Sequence, residues 1–189
     1  MKKTFLLLIS LFIVATTAIY GQTTETEHFI HEKKFYKSGS LTIIRPKNEV
    51  NHTLKKEIVR LMYNTDISTD VFFDLLDMYY YNARAKPFQD LIDKGTFTKK
   101  RMKKLAEKDK TAICTFFDET GIVSYVEFWV SEGDKSLFTD KELYLIYQQL
   151  KKVKYDLSLW KVYLPKTASN TNFRGQDLYN IPYKELRYK

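Results

Sequence analysis

Thr111-Ala112-Ile113-Cys114-Thr115-Phe116-Phe117-Asp118-Glu119-Thr120-Gly121-Ile122-Val123-Ser124-Tyr125-Val126-Glu127-Phe128-Trp129-Val130-Ser131 reads as a β-hairpin. Both arms are dominated by β-branched and aromatic side chains, which suit a pleated, partly buried surface. Between them, Glu119-Thr120-Gly121 makes a three-residue loop, and its glycine supplies the left-handed backbone position that such loops require. With Asp118 opposite Ile122, Cys114 faces Val126 and Ala112 faces Phe128. One face then carries Ala112, Cys114, Phe116, Val126, Phe128 and Val130, and the other Phe117, Val123, Tyr125, Glu127 and Trp129.

Downstream, Thr139 and Glu142 stand at capping-box spacing before a helix over residues 140–154. Its apolar stripe is Leu143, Ile146, Leu150 and Val153. Leu159-Trp160-Lys161-Val162-Tyr163-Leu164 reads as a further strand, closed by Pro165. Residues 111–164 thus form a ββαβ module whose helix covers the first face of the hairpin. The second face needs cover from elsewhere or a partner. Residues 165–189 lack clear periodicity and are expected to wrap the surface as an irregular tail.

Upstream, the middle of the chain reads as helical. A first helix spans 54–63, with Leu54, Ile58, Leu61 and Met62 at helical spacing. A second starts at Ser68 or Thr69 and places Val71, Phe72, Leu75, Leu76 and Tyr79 on one face. Pro87 opens a third segment over 88–94, with Gly95 just past its end. Thr98 caps a fourth over 99–108, whose apolar residues are Met102, Leu105 and Ala106. Nearer the N-terminus, residues 29–45 read as extended, with Ser38-Gly39-Ser40 as a turn, Leu41-Thr42-Ile43-Ile44 as a strand, and Pro46 ending it. Residues 23–27 are polar and expected to be without fixed structure. The expected architecture is therefore α+β: a helical N-terminal half plus the ββαβ module with a small antiparallel sheet, in a single domain over 22–189.

Residues 115–128 resemble the hairpin of TonB C-terminal-type domains, where a strand ends in an acidic residue plus a glycine turn and returns through alternating valines. The helix from Lys141 and the strand 159–164 follow in that family's order. The resemblance covers 111–164 and implies a small α+β fold of an envelope protein. The chain lacks the family's proline-rich spacer and proline-containing lead-in, and the middle helices have no counterpart there. The resemblance therefore implies neither energy transduction nor receptor contact. In overall look the chain also resembles small exported proteins of Gram-negative bacteria.

At the start, Lys2-Lys3 precede the apolar run 5–15, and small and polar residues follow through Gly21. This is the pattern of a secretory signal peptide, with cleavage placed after Gly21 and Ala18 as the alternative. The run is short of the roughly 20 apolar residues a spanning helix needs. An uncleaved anchor extended by Ile19 and Tyr20 is the competing reading. The protein is expected to be exported, periplasmic or associated with the outer envelope. Cys114 is the only cysteine, so no internal disulfide forms, and in its apolar strand it reads as a small buried hydrophobe. The net charge of +8 favours anionic partners, with membrane-surface contact among them. Export argues against nucleic acid.

Catalytic constellations are sparse. Glu27-His28-Phe29-Ile30-His31-Glu32 gathers two histidines and two carboxylates, but along a strand the histidines point to opposite faces, so no metal site is expected. His52 reads as part of a helix entry. Asp74, Asp77, Asp90, Asp93, Asp118 and Glu127 are the acids available for glycoside hydrolysis, which needs two carboxylates across a cleft. The basic cluster Lys99-Lys100-Arg101-Lys103-Lys104 reads as a solvated helix face, and Met78-Tyr79-Tyr80-Tyr81 as straddling core and surface. With no Gly-rich phosphate loop, Ser-His-Asp arrangement or CxxC pair, neither a cofactor nor catalytic residues are expected. The preferred reading is a non-enzymatic envelope protein that binds a protein or glycan through Tyr125, Glu127 and Trp129. The alternative is a small secreted hydrolase using the carboxylates of Glu127 and Asp118.

Overall fold

The hairpin forms as read at its turn and departs from the reading at Ser124. The computed structural model describes residues 21–36, 39–49, 69–131, 136–163 and 174–188. The hairpin strands there are Thr111–Asp118 and Val123–Ser131. Asp118 N–H donates to the Ile122 carbonyl at 3.1 Å, as expected. The register then shifts: Phe117 pairs with Val123, but Phe116 pairs with Tyr125, which leaves Ser124 as an extra residue. This β-bulge flips every side chain beyond it to the opposite face. Cys114 consequently lies opposite Glu127, and Ala112 opposite Trp129. Ile113, Phe117, Val123, Val126, Phe128 and Val130 enter the main core. Cys114, Phe116 and Tyr125 pack with Trp129 in a second, smaller cluster.

Gly121 sits at φ 84°, and Tyr155 N–H donates to its carbonyl at 2.8 Å. A Cβ built there would lie 2.2 Å from the Tyr155 carbonyl oxygen. A left-handed non-glycine residue costs about 1–2 kcal/mol before any clash, and the backbone obstacle adds to it. Gly121→Ala is expected to destabilise by about 2 kcal/mol or more. The check is a lower urea midpoint with an unchanged slope.

Six strands form one antiparallel sheet. Along the chain they are β1 (Thr23–Glu25), β2 (Phe29–Tyr36), β3 (Gly39–Pro46), β4 (Thr111–Asp118), β5 (Val123–Ser131) and β6 (Arg174–Asn180). Their order across the sheet is β1-β2-β3-β5-β4-β6. The hairpin β4–β5 is the centre, flanked by the N-terminal hairpin on one side and β6 on the other. The reading of a helical N-terminal half with a small sheet is therefore overturned. Residues 23–46 contribute three of the six strands, and the described helices all follow them. The expected helix over 54–63 lies outside the described residues.

Three local readings fail for identifiable reasons. Residues 23–25, expected to be unstructured, form an edge strand because backbone pairing with Ile30, His31 and Glu32 needs no apolar side chain. Of the segment 159–164, expected as a strand, the described residues 159–163 lie in a helix, Ser158–Tyr163, whose first turn is held by Asp156 accepting from Ser158 N–H at 2.9 Å. Burial of Leu157, Leu159 and Trp160 beside an exposed Val162 does not alternate as a strand would. The tail, expected to be irregular, supplies β6, paired with β4 from Asp118↔Arg174 to Ala112↔Asn180.

The α-helices among the described residues are α1 (Thr69–Asp93), α2 (Lys99–Lys108), α3 (Asp140–Leu150) and α4 (Ser158–Tyr163). The two segments expected on either side of Pro87 are one helix, with the proline inside it. An internal proline costs about 3 kcal/mol. Complete or near-complete burial of Phe88 and Leu91 in the next turn offsets that, at about 1.5–3 kcal/mol for each large apolar side chain. The local signals at the other ends act as read. Thr98 accepts from Arg101 N–H, and Thr139 with Glu142 forms both bonds of the capping box. All four helices bury side chains in the same core, including Tyr80, Met102, Leu105, Leu143, Ile146 and Trp160.

Candidate functional site

The three residues read from sequence as a binding patch share one sheet face, but that face is closed at its centre. Tyr125 and Glu127 are buried and Trp129 is partly buried. Trp129 donates its indole N–H to Glu127 Oε2 at 2.9 Å. Burial, reinforced by the Glu127 charge, pushes the Tyr125 phenol well above its usual range. A sugar ring needs an open aromatic face to stack upon, and here only Trp129 keeps an exposed part. Cys114 is buried beside them and accepts from Gln176 Nε2 at 3.2 Å.

The structure does not bring the hydrolase acids into a facing pair. Asp118 pairs across the hairpin with Ile122, while Glu127 lies opposite Cys114. Four residues along β4 separate the two positions by roughly 13 Å, beyond the roughly 5–9.5 Å between glycosidase carboxyls. The Asp118 carboxylate already accepts from Thr120 N–H at 2.9 Å and Thr120 Oγ1 at 2.6 Å. Elsewhere, Asp77 binds Arg84, Asp90 binds Lys86 and Asp93 accepts from Gln89. The basic run behaves as a helix face: Lys99, Lys100, Lys103 and Lys104 are exposed, whereas Arg101 makes a two-pronged bond to Glu142 at 2.8 and 2.7 Å. Of the tyrosine run, Tyr80 is buried, and Met78, Tyr79 and Tyr81 are exposed.

Two polar groupings arise that the sequence did not announce. The first lies beneath α1. Arg84 donates to both oxygens of Asp177, at 2.9 and 2.6 Å, and to Asp77 at 2.7 Å. Tyr155 donates to Asp177 Oδ2 at 2.9 Å and meets Thr115 Oγ1 at 2.8 Å. Burial works against the Arg84 charge, yet the paired carboxylates outweigh it and hold the guanidinium more firmly protonated. Burial first, and the charge of Asp177 with it, raises the Tyr155 phenol well above its usual range. Arg84, Asp177, Tyr155 and Thr115 are largely shielded from solvent and hydrogen-bonded to each other, with Asp77 at the exposed edge, so this network joins helix to sheet. It offers no reacting atom to a substrate.

The second grouping joins the β1–β2 loop to α3. Glu27, His28 and Asp140 each place a donor atom within 4.8 Å of the others. Asp140 accepts from Thr26 Oγ1 and contacts His28 Nδ1, while Glu27 Oε1 lies 3.8 Å from His28 Nε2. The His28 ring stacks on Tyr144 at 4.0 Å between centroids. Burial works to raise the Asp140 carboxyl, but the bonds from Thr26 and His28 prevail and hold it below the usual range. His31 and Glu32, the other halves of the sequence cluster, stand outside the group; Glu32 pairs with Arg45 and Lys34. His52 lies outside the described residues. Glu27 and His28 were visible in the sequence, but their carboxylate partner is 112 positions away from His28.

Between α1 and α3 lies an open cleft of about 280 Å³. Ala83, Pro87 and Val153 give it an apolar lining, while Lys86, Lys152, Lys154, Asp90 and Gln149 give it polar edges. Lys86 bonds Asp90 at 2.8 Å. Lys152 and Lys154 are exposed and have no carboxylate partner among the described residues. The cleft therefore carries a positive balance over a mostly apolar surface. Among the described residues, no helix is long and apolar enough to cross a membrane.

No family model matches the chain, and no curated protein matches it. Among solved structures, the chain is similar to a DUF5043 family protein from Bacteroides uniformis ATCC 8492, with a TM-score of 0.44. The identity is 10%, covering 87% of this chain and 93% of the other.

Proposed function

We propose that the chain is an exported, non-enzymatic envelope protein that binds an acidic segment of another protein in the cleft between α1 and α3. The observation that supports this reading is the pairing of an apolar lining with exposed lysines at 152 and 154 that have no carboxylate partner among the described residues. A protein segment with carboxylates beside small apolar side chains matches both features. A glycan is the weaker fit, because sugars stack on an aromatic platform, and none of the residues that line this cleft is aromatic. Export rests on the charged, apolar and small-residue pattern of residues 1–21, of which 1–20 lie outside the described residues. The hydrolase alternative has less support, since Asp118 is held by its turn and Glu127 is buried against Trp129.

Retention on an immobilised glutamate–alanine copolymer tests the reading, with alginate as the acidic-glycan comparison. The charge-reversed variant Lys152→Glu with Lys154→Glu is expected to bind the copolymer about tenfold more weakly at low salt. The control Lys103→Glu with Lys104→Glu alters net charge equally on α2, away from the cleft, and should shift binding far less. Equal losses in both variants would reduce the effect to overall charge and sink the cleft as the site. Stronger retention on alginate than on the copolymer would redirect the proposal to a glycan.

A further inference from the structure

We propose that Glu27, His28 and Asp140 bind one divalent transition-metal cation of the zinc type, which pins the β1–β2 loop to the first turn of α3. The site stands apart from the cleft and does not depend on the reading above. One imidazole nitrogen and two carboxylate oxygens make a three-donor set of the kind zinc accepts, with a further position left for water or a partner's ligand. Donors about 2.0–2.2 Å from a shared ion lie roughly 3.3 Å from one another. The present donors lie within 4.8 Å of one another, so an ion draws Glu27 inward by roughly 1–2 Å and parts His28 from Asp140, which now touch. Glu27 can move, because its side chain is 83% exposed and its ion-pair contact among the described residues is His28.

The other two donors are already held in place. Tyr144 stacks on the His28 ring, and Lys47 N–H bonds the His28 carbonyl at 3.0 Å. Asp140 is the first residue of α3, directly after its cap Thr139, and Thr26 bonds its carboxylate. The loop is tightened by Thr26 N–H donating to the Phe29 carbonyl at 2.9 Å. The helix end opposes a cation with about half a positive charge, but the two carboxylates bring two negative charges. The two carboxylates thus give the group negative charge that a bound cation balances. His31, on β2, has its Nε2 shut off from solvent with no hydrogen-bond partner among the described residues.

The experiment is calorimetric titration of the full, untagged, metal-stripped chain with zinc chloride, paralleled by cobalt(II) absorption spectra. The expected result is one ion per chain, visible cobalt bands, and a higher melting temperature with zinc. Glu27→Gln changes an exposed side chain and leaves the fold intact, so it separates binding from folding. It is expected to weaken zinc binding by about tenfold or more and to remove most of the thermal gain, as is His28→Ala. Glu107→Gln, on the exposed face of α2, should bind zinc as the original chain does. Absence of stoichiometric zinc and cobalt binding would overturn the proposal. So would binding that survives unchanged in both Glu27→Gln and His28→Ala.

Discussion

Asp177→Ala is expected to lower the unfolding free energy by about 3–5 kcal/mol, the cost of leaving a buried charge without its partner. Side-chain exposure is 6% for Asp177 and 13% for Arg84. Removing the carboxylate strands a guanidinium that makes two bonds to it and deprives the Tyr155 hydroxyl of its acceptor. Asp77 remains as a partner for Arg84, which places the loss toward the lower end of that range. Because native domains are stable by only about 5–15 kcal/mol, the change removes a large share of the whole. Two further variants separate charge from shape. Asp177→Asn keeps the volume and one acceptor, and should lose less. Arg84→Met combined with Asp177→Leu should recover much of the loss, since apolar replacement of a buried pair is often neutral. Urea unfolding followed by circular dichroism reads all three. A loss under 1 kcal/mol for Asp177→Ala would mean that water reaches the pair freely.

Trp160→Ala should cost about 3–5 kcal/mol through a different mechanism, the cavity left by a large core side chain. Trp160 is 2% exposed and meets Phe117 edge to face, with ring centroids 6.3 Å apart. Its indole N–H donates to the Tyr80 hydroxyl at 2.7 Å, so truncation also removes that hydroxyl's donor. Trp160→Phe isolates the two contributions. It keeps much of the packing and loses the hydrogen bond, with an expected cost of about 1–2 kcal/mol. Thermal melts of the two variants give the comparison. A Trp160→Phe loss equal to that of Trp160→Ala would assign the whole effect to the hydrogen bond.

What could be read from the chain alone was the part governed by neighbours within a few residues. Gly121 sets the hairpin loop, Thr139 with Glu142 starts α3, and Thr98 starts α2, because turns and caps are closed by bonds over three or four positions. Pro87 misled because its cost is also local, while the burial of Phe88 and Leu91 that offsets it is not. Ser124 misled in a related way: a bulge adds one residue without a distinctive side chain, and it moved Tyr125 and Glu127 to a face shared with Cys114. The candidate site was half visible, as Glu27 and His28, and lacked Asp140.

The sequence by itself determined the turn of the central hairpin and the starts of α2 and α3. The tertiary structure alone decided the width of the sheet and the placement of charge. β6 carries Gly175 and Asp177 inward, where an apolar strand would carry valines; Gly175 leaves room for the Phe117 ring, and Asp177 answers Arg84 from 93 positions away. Such positions look polar until their partners are known. A strand or an ion pair joined across the chain is stabilised by groups that local periodicity never samples.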